Sequence, residues 1–343
     1  MSKKPLVIMD QHFRLVDELF RPETFAALSD LCEIEGAQNE PMSKERIDQR
    51  IDEASILVAA FPGLNASQIE RAKNLKATIE VAGAFSEGLD YQACFDKKIE
   101  VLSCSPGFRQ SVAEMTLALA LAGGRGLVRE HEAFRAGQEH WLEDCSDTDF
   151  TLFGADIGFI GFGQIAKETV RLMAPFAPKI RAYDPYPSPE NNDVEFCSLD
   201  QLVEKSRIVI VAAVPSDETR NILRADLIAK LQKSSLVILI SRAWCADFPA
   251  LLAAANAKKI TLATDVFPTE PLPEDDELRN MQNIILSPHR AAAVPGGRHL
   301  IGDMIYHDIK AILDGRPERQ LKPVNPAQVS SLISAQKELP PVG

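Results

Sequence analysis

Gly158-Phe159-Ile160-Gly161-Phe162-Gly163-Gln164-Ile165-Ala166, preceded by Ala155-Asp156-Ile157 and followed by Lys167-Glu168-Thr169-Val170-Arg171-Leu172, decides how the rest of this chain is read. Ile157, Phe159 and Ile160 predict a buried strand, and Ile165, Val170, Leu172 and Met173 suit the inner face of the helix that follows. Between them lies G-x-G-x-x-A. In a strand, turn and helix each small residue has its own task. Gly161 permits the tight turn, Gly163 lets a pyrophosphate approach the backbone, and Ala166 lets the helix pack closely on its strand. The helix N-terminus then offers free N–H groups and the positive end of its dipole to phosphates. A second strand, Ile180-Arg181-Ala182-Tyr183, ends in Asp184, near the spacing of about twenty residues at which a carboxylate grips a ribose diol. A glycine pair alone is weak, because glycines interrupt strands for purely structural reasons. With strand, helix and Asp184 in place, the stretch is a dinucleotide fingerprint.

At 343 residues the chain has room for two domains with substantial cores. Its net charge of -12 argues against nucleic acid or an anionic membrane as partner, since no excess of Lys and Arg is available to neutralise phosphates. A small molecule fits better. The basic start, Met1-Ser2-Lys3-Lys4, precedes an apolar run too short for a signal peptide, and the apolar run at 117–122 is far below a membrane span. The expectation is a soluble cytoplasmic protein. Cys32, Cys94, Cys104, Cys145, Cys197 and Cys245 are scattered, with no C-x-x-C and no histidine at metal-ligand spacing. Reduced thiols and no metal site are expected.

From the N-terminus, short β-rich runs at 5–9, 32–35, 56–61, 78–82 and 99–103 alternate with helical segments such as 67–74 and 91–97. This alternation predicts a parallel sheet with helices on both faces, complete before the fingerprint begins. Residues 112–122 form a helix apolar on nearly every side, expected to be buried at a domain or subunit boundary. Residues 125–149 are charged, carry Trp141 and show no steady period, and they read as an excursion from the fold. Alternation resumes with continuous apolar strands at 208–212, 236–240, 261–263 and 284–286, and with helices such as 198–205 and 249–257. Pro295-Gly296-Gly297 interrupts the chain before an amphipathic helix at about 300–314, and a Pro-rich tail is expected to be surface-bound or partly mobile.

Several motifs beyond the fingerprint then make the chain resemble the D-isomer-specific 2-hydroxyacid dehydrogenases, which include phosphoglycerate dehydrogenase, glyoxylate/hydroxypyruvate reductase and formate dehydrogenase. These are Val214-Pro215, Thr219-Arg220, Ile240-Ser241-Arg242, Thr264-Asp265-Val266-Phe267 with Glu270-Pro271-Leu272, and Ser287-Pro288-His289. They follow the family's order and spacing over nearly the whole chain. The resemblance implies an α/β protein of two doubly wound parallel-sheet domains, with a Rossmann NAD domain (105–295) inserted in a flavodoxin-like substrate domain (1–104 and 296–343) and the active site in the cleft between. It implies Arg242, Glu270 and His289 as the catalytic set. It places NAD on Gly161, Phe162, Gly163, Gln164, Ile165, Asp184, Val214, Pro215, Thr219, Ile240, Ser241, Asp265, His289 and Ala292, and substrate on Gly83, Ala84, Phe85, Arg242 and His289. A homodimer is implied through 125–149 and the apolar helix before it.

Chemistry supports the catalytic roles independently. Reducing a 2-oxo acid needs a cation to hold the carboxylate and polarise the ketone, which the planar fork of Arg does bidentately. It also needs a proton donor for the oxygen as hydride reaches the carbon, and His is the side chain whose pKa lies near working pH. A carboxylate against the imidazole favours its charged form, so Glu270 should raise the pKa of His289 and orient the ring. Pro185-Tyr186-Pro187-Ser188-Pro189-Glu190 offers no Arg or Lys to a 2′-phosphate, so NAD is expected rather than NADP.

Departures from the family pattern bear on the substrate. The glycine-rich carboxylate loop of the first domain is here Val81-Ala82-Gly83-Ala84-Phe85-Ser86-Glu87-Gly88-Leu89-Asp90, Ala243-Trp244 replaces the usual Gly after Arg242, and Arg290-Ala291-Ala292 follows His289. Phe85 and Trp244 read as added bulk, and Arg290 as either a selector of a further polar or anionic group or a surface charge. Two other readings stay open. A formate dehydrogenase would resemble this chain with Gln in place of Glu270, and a co-repressor-like NADH sensor keeps the same trio without turnover.

Overall fold

The computed structural model describes residues 3–83, 85–142, 148–186 and 193–337. Ala84, Cys145 and Pro187-Ser188-Pro189-Glu190, which entered the reading above, lie outside the described residues. The chain divides into two compact units, Met1–Arg109 with Ala292–Gly343, and Gln110–Ala291. The second unit is thus inserted in the sequence of the first. The contacts divide the chain after Arg109 and after Ala291, whereas the sequence reading put the joints after 104 and 295.

The first unit is built on β1 (Leu6–Asp10), β2 (Glu33–Gly36), β3 (Ala54–Ala59), β4 (Ala77–Glu80) and β5 (Glu100–Ser103), all parallel. Their order in the sheet is β5-β4-β3-β1-β2. Neighbours in sequence along β1 serve opposite cores. Val7 and Met9 pack with Ile56, Val58 and Ile79 under the helix His299–Leu313, while Leu6 and Ile8 pack with Leu57, Ile69 and Tyr91 on the other face. The two-residue period of a strand sends successive side chains to opposite faces, and covering both faces explains why these strands read as unbroken apolar runs.

The Pro-rich tail is better anchored than its composition suggested. Lys322–Pro323 forms a short strand, β13, antiparallel to β5, the Val324 amide donates to the Val101 carbonyl at 2.9 Å, and a helix follows at Val329–Lys337. Proline is tolerated there because an edge strand needs hydrogen bonds on one side only. Of the two expectations for the tail, surface-bound or partly mobile, these contacts agree with the first over 322–337.

The second unit holds β6 (Asp156–Ile160), β7 (Lys179–Tyr183), β8 (Val194–Phe196), β9 (Ile208–Val211), β10 (Ser235–Leu239), β11 (Ile260–Thr264) and β12 (Ile284–Leu286). All pair in parallel, in the order β12-β11-β10-β9-β6-β7-β8. The order reverses between β6 and β9, the switch point at which open α/β sheets bind ligands beyond the carboxyl ends of their strands.

The apolar helix runs over Arg109–Gly124 but is buried along one stripe only: Val112, Ala113, Thr116, Leu119, Ala120 and Gly123. Leu121 on the opposite side is exposed in the single chain. Within 125–149, Leu127–Arg135 forms a helix that the weak period did not reveal. Among the described residues no single helix is long and apolar enough to cross a membrane.

Candidate active site

The fingerprint loop leaves β6 as a turn that only glycine can make. Gly161 has φ +87°, and a Cβ there would come within 2.6 Å of the Ala213 Cα beside the end of β9. Gly163 is the opposite case, since a Cβ there would meet nothing within 4 Å, leaving its backbone open to a ligand. It caps the helix Gln164–Met173, whose N-terminus has no side-chain cap, and Ala166 is fully buried against the sheet. Asp184, at the end of β7, is fixed by two amides: Phe162 donates to Oδ2 at 2.8 Å and Tyr186 to Oδ1 at 2.8 Å. Each carboxylate oxygen keeps a lone pair for a further donor. Open backbone above Gly163, an uncapped helix end and an oriented carboxylate fit the pyrophosphate and ribose of a dinucleotide.

The loop after β9 continues this rim. Val214 is exposed although apolar. Thr219 Oγ1 donates to the Val214 carbonyl at 2.7 Å and accepts from the Ser216 amide at 2.8 Å, closing the loop through Pro215. Thr219 thus spends its hydroxyl on the loop itself. Ile240 is buried just past β10, and the Ser241 carbonyl accepts from Arg242 at 2.8 Å. Ala292 falls with the first unit, the first residue beyond the division.

Arg242, Glu270 and His289 follow the carboxyl ends of β10, β11 and β12, three adjacent strands, which is how residues so far apart in sequence share one edge. His289 Nδ1 lies 2.5 Å from Glu270 Oε2, and Glu270 Oε1 accepts from the Phe267 amide at 2.8 Å. Both carboxylate oxygens are thus oriented. Burial pushes the Glu270 carboxyl up, but the His289 bond, the Phe267 amide and the charges of His289 and Arg242 outweigh it and leave the group below its usual range. Arg242 is half-buried. Desolvation lowers its proton affinity, partly offset by Glu270, Cys245 and Asp265, and among the described residues no carboxylate pairs with its guanidinium.

Asp265, read from sequence as a cofactor ligand, has a task that the sequence did not reveal. Its buried carboxylate accepts from Ser287 Oγ at 2.5 Å and the Arg290 amide at 3.0 Å through Oδ1, and from the Ala291 amide at 3.0 Å through Oδ2. These bonds clamp the turn that carries His289. His289 itself has φ +47°, a left-handed conformation that is uncommon outside glycine and tolerated best by Asn, Asp and His. A clamp on either side of a strained residue is how such a backbone is maintained at a functional position.

In the first unit, Gly83 takes φ +81° and donates its amide to the Glu80 carboxylate, which also accepts from Ser103 Oγ at 3.0 Å. Phe85 packs against the core containing Leu64 and Tyr91 rather than adding free bulk to the loop. Trp244 is likewise committed: its Nε1 donates to the Ser216 carbonyl at 2.9 Å, and Arg220 lies over its ring at 3.8 Å. Arg290 is exposed, with no ion pair among the described residues.

Comparison with known proteins identifies relatives of the whole chain. The family described as D-isomer specific 2-hydroxyacid dehydrogenase, NAD binding domain, matches residues 117–291. The hydroxypyruvate reductase of Thermotoga maritima is 30% identical over 77% of this chain and 86% of its own length. The D-3-phosphoglycerate dehydrogenase of Methanocaldococcus jannaschii is 28% identical over 88% of this chain, which spans only 57% of that relative's length. The crystal structure of a phosphoglycerate oxidoreductase from Rhizobium etli superposes with a TM-score of 0.83 at 31% identity, covering 94% of this chain and 99% of that one. Fold and family match together define an α/β protein with an NAD-binding domain. The chain belongs to the D-isomer-specific 2-hydroxyacid dehydrogenase family.

Proposed function

We propose that the protein interconverts a D-2-hydroxy acid and its 2-oxo acid, with Arg242 binding carboxylate and carbonyl, His289 as acid/base and Glu270 holding and tuning the imidazole. The observation that carries this reading is the His289 to Glu270 contact of 2.5 Å, with Arg242 lacking a carboxylate partner among the described residues. With Nδ1 turned to Glu270, Nε2 is the nitrogen left to give a proton to a carbonyl oxygen or take one from a hydroxyl. NAD, when bound, supplies or accepts the hydride at the substrate carbon. Gly161, Phe162, Gly163, Gln164, Ile165 and Asp184 would hold its phosphates and ribose, with Val214, Pro215, Thr219, Ile240, Ser241, Asp265, His289 and Ala292 completing the cofactor site. Gly83, Ala84 and Phe85 would add backbone contacts to the substrate. Oxidation of NADH with a panel of 2-oxo acids tests the reading directly, and absence of turnover across glyoxylate, hydroxypyruvate, pyruvate and larger acids would favour a cofactor-sensing role instead.

The pH dependence has a definite sign. Because the Glu270 carboxyl lies below its usual range, it stays ionised as pH falls, and its support for a protonated ring is complete at neutral pH. Reduction needs that proton and declines as pH rises, whereas oxidation needs the neutral ring and improves. In Glu270→Gln the ring loses its carboxylate partner, and the pH profile of reduction should change. An unchanged profile, with chemistry shown to be rate-limiting by a substrate deuterium effect, would remove Glu270 from the mechanism.

NADH should be preferred to NADPH, since a fixed Asp184 carboxylate repels a 2′-phosphate. Titration of cofactor fluorescence measures this, and equal or tighter NADPH binding would overturn it. A cytoplasmic location is part of the same proposal, supported by five free cysteines among the described residues.

We assign a homodimer as the working state. Leu127 at 62% exposure, Phe134 at 58% and Trp141 at 69% form an apolar surface on 121–142, with the Phe134 and Trp141 rings 6.1 Å apart. Large apolar side chains this exposed, two of them in ring contact, support a surface covered by a second copy. Light scattering at micromolar concentration should return twice the chain mass, and Trp141→Glu should return one. A wild-type monomer would count against the assignment.

A further inference from the structure

The first unit contains a largely buried cation that has no hydrogen-bond or ion-pair partner among the described residues. Arg14, on the loop leaving β1, is only 8% exposed, yet its Nε has no hydrogen-bond partner and no ion pair reaches its guanidinium among the described residues. Its Cζ lies 4.4 Å from the centroid of the Phe13 ring. The acids whose charge it feels are engaged elsewhere. Glu18 accepts from the Leu15 amide at 3.3 Å and faces Arg298 at 3.4 Å, and Glu80 is bonded to Gly83 and Ser103. Arg298 is a second cation acting on Arg14, and its Nε is also buried without a partner. In the same loop the fully buried Gln11 donates to the Gln38 carbonyl at 2.7 Å while its Oε1 is left unsatisfied.

A largely buried cation without an acceptor is costly unless water or a ligand supplies one. The position supplies one. The loop leaves β1, which lies between β2 and β3, so it stands at the switch point of this sheet, where doubly wound domains take ligands.

We propose that Arg14, supported by Arg298, is an anion-recognition point of the first unit that selects 2-oxo and 2-hydroxy acids carrying a second anionic group. This rests on the proposed 2-hydroxy acid chemistry and narrows its substrate class. Burial and the charge of Arg298 bring the Arg14 pKa down to about 10, still fully cationic at neutral pH. An incoming carboxylate or phosphate supplies the missing acceptors and relieves the repulsion between two arginines.

The test compares dianionic substrates, oxaloacetate, 2-oxoglutarate and 3-phosphohydroxypyruvate, with monoanionic glyoxylate and pyruvate. In Arg14→Gln, kcat/KM for the preferred dianion should fall about 10- to 100-fold, the equivalent of one charge-assisted bond, with little change for the monoanions. Arg14→Lys should recover part of it. Comparing the dicarboxylates with the phosphorylated acid identifies the anion. The melting temperature of Arg14→Gln should hold or rise, because no partner is orphaned; a merely structural arginine would lower it and reduce all substrates alike. Wild-type indifference to the second charge, or equal losses across the panel, overturns the proposal. If no 2-oxo acid turns over, the catalytic reading has failed, and calorimetry with D-malate on the NAD-loaded protein decides Arg14 separately. Binding lost in Arg14→Gln supports it, whereas equal binding, or none to wild type, overturns it.

Discussion

His289→Asn lowers kcat for 2-oxo acid reduction by roughly 10²–10⁴, the range of a lost general acid, with a far smaller change in NADH affinity. Asn is the informative replacement because of the backbone. At φ +47° an alanine would add left-handed strain to the lost imidazole, whereas Asn visits this conformation readily. The Asp265 bonds to Ser287, Arg290 and Ala291 do not involve the His289 side chain, so the turn persists in the variant. What disappears is the Nδ1 contact with Glu270 and the Nε2 proton behind it. A loss of less than about tenfold, in single-turnover measurements that isolate hydride transfer, would mean that the proton comes from another group.

Legibility in the sequence followed how local the determinants were. The fingerprint was readable because Gly161, Gly163, Ala166 and Asp184 act through the backbone geometry of one strand, turn and helix. The buried strands were readable because covering both faces leaves continuous apolar runs, as in Ile208–Val211. The short edge strand Val194–Phe196 was not, since three half-solvated residues carry no period. The pairing of Lys322–Pro323 with β5 depends on a partner more than two hundred residues away. Arg242, Glu270 and His289 were found through resemblance, whereas the Asp265 clamp was not: its value lies in a hydrogen-bond set that exists only once β11 and β12 are side by side. Arg14 was invisible for the converse reason. A sequence shows a charge, and only a fold shows that the charge has been left without a partner.

The same logic gives Arg242→Gln an outcome that separates function from stability. The guanidinium is half-buried, donates a hydrogen bond of 2.8 Å to the Ser241 carbonyl and has no carboxylate partner among the described residues. Holding a 2-oxo acid through a bidentate fork makes two charge-assisted bonds, each worth about 1.5–3 kcal/mol. Their loss should cost roughly 10²–10⁴ in kcat/KM. The part realised on the ketone oxygen should appear in kcat and the part on the carboxylate in KM, since only interactions that strengthen in the transition state raise kcat. Arg242→Lys keeps the charge without the planar fork and should recover less than half of the lost free energy. Stability should move the other way. Removing a cation that desolvation already disfavours orphans no carboxylate, so the melting temperature should stay level or rise. An arginine retained for structure would show the reverse pattern, a lowered melting temperature in Arg242→Gln with kcat/KM nearly intact, and that result would remove Arg242 from substrate binding.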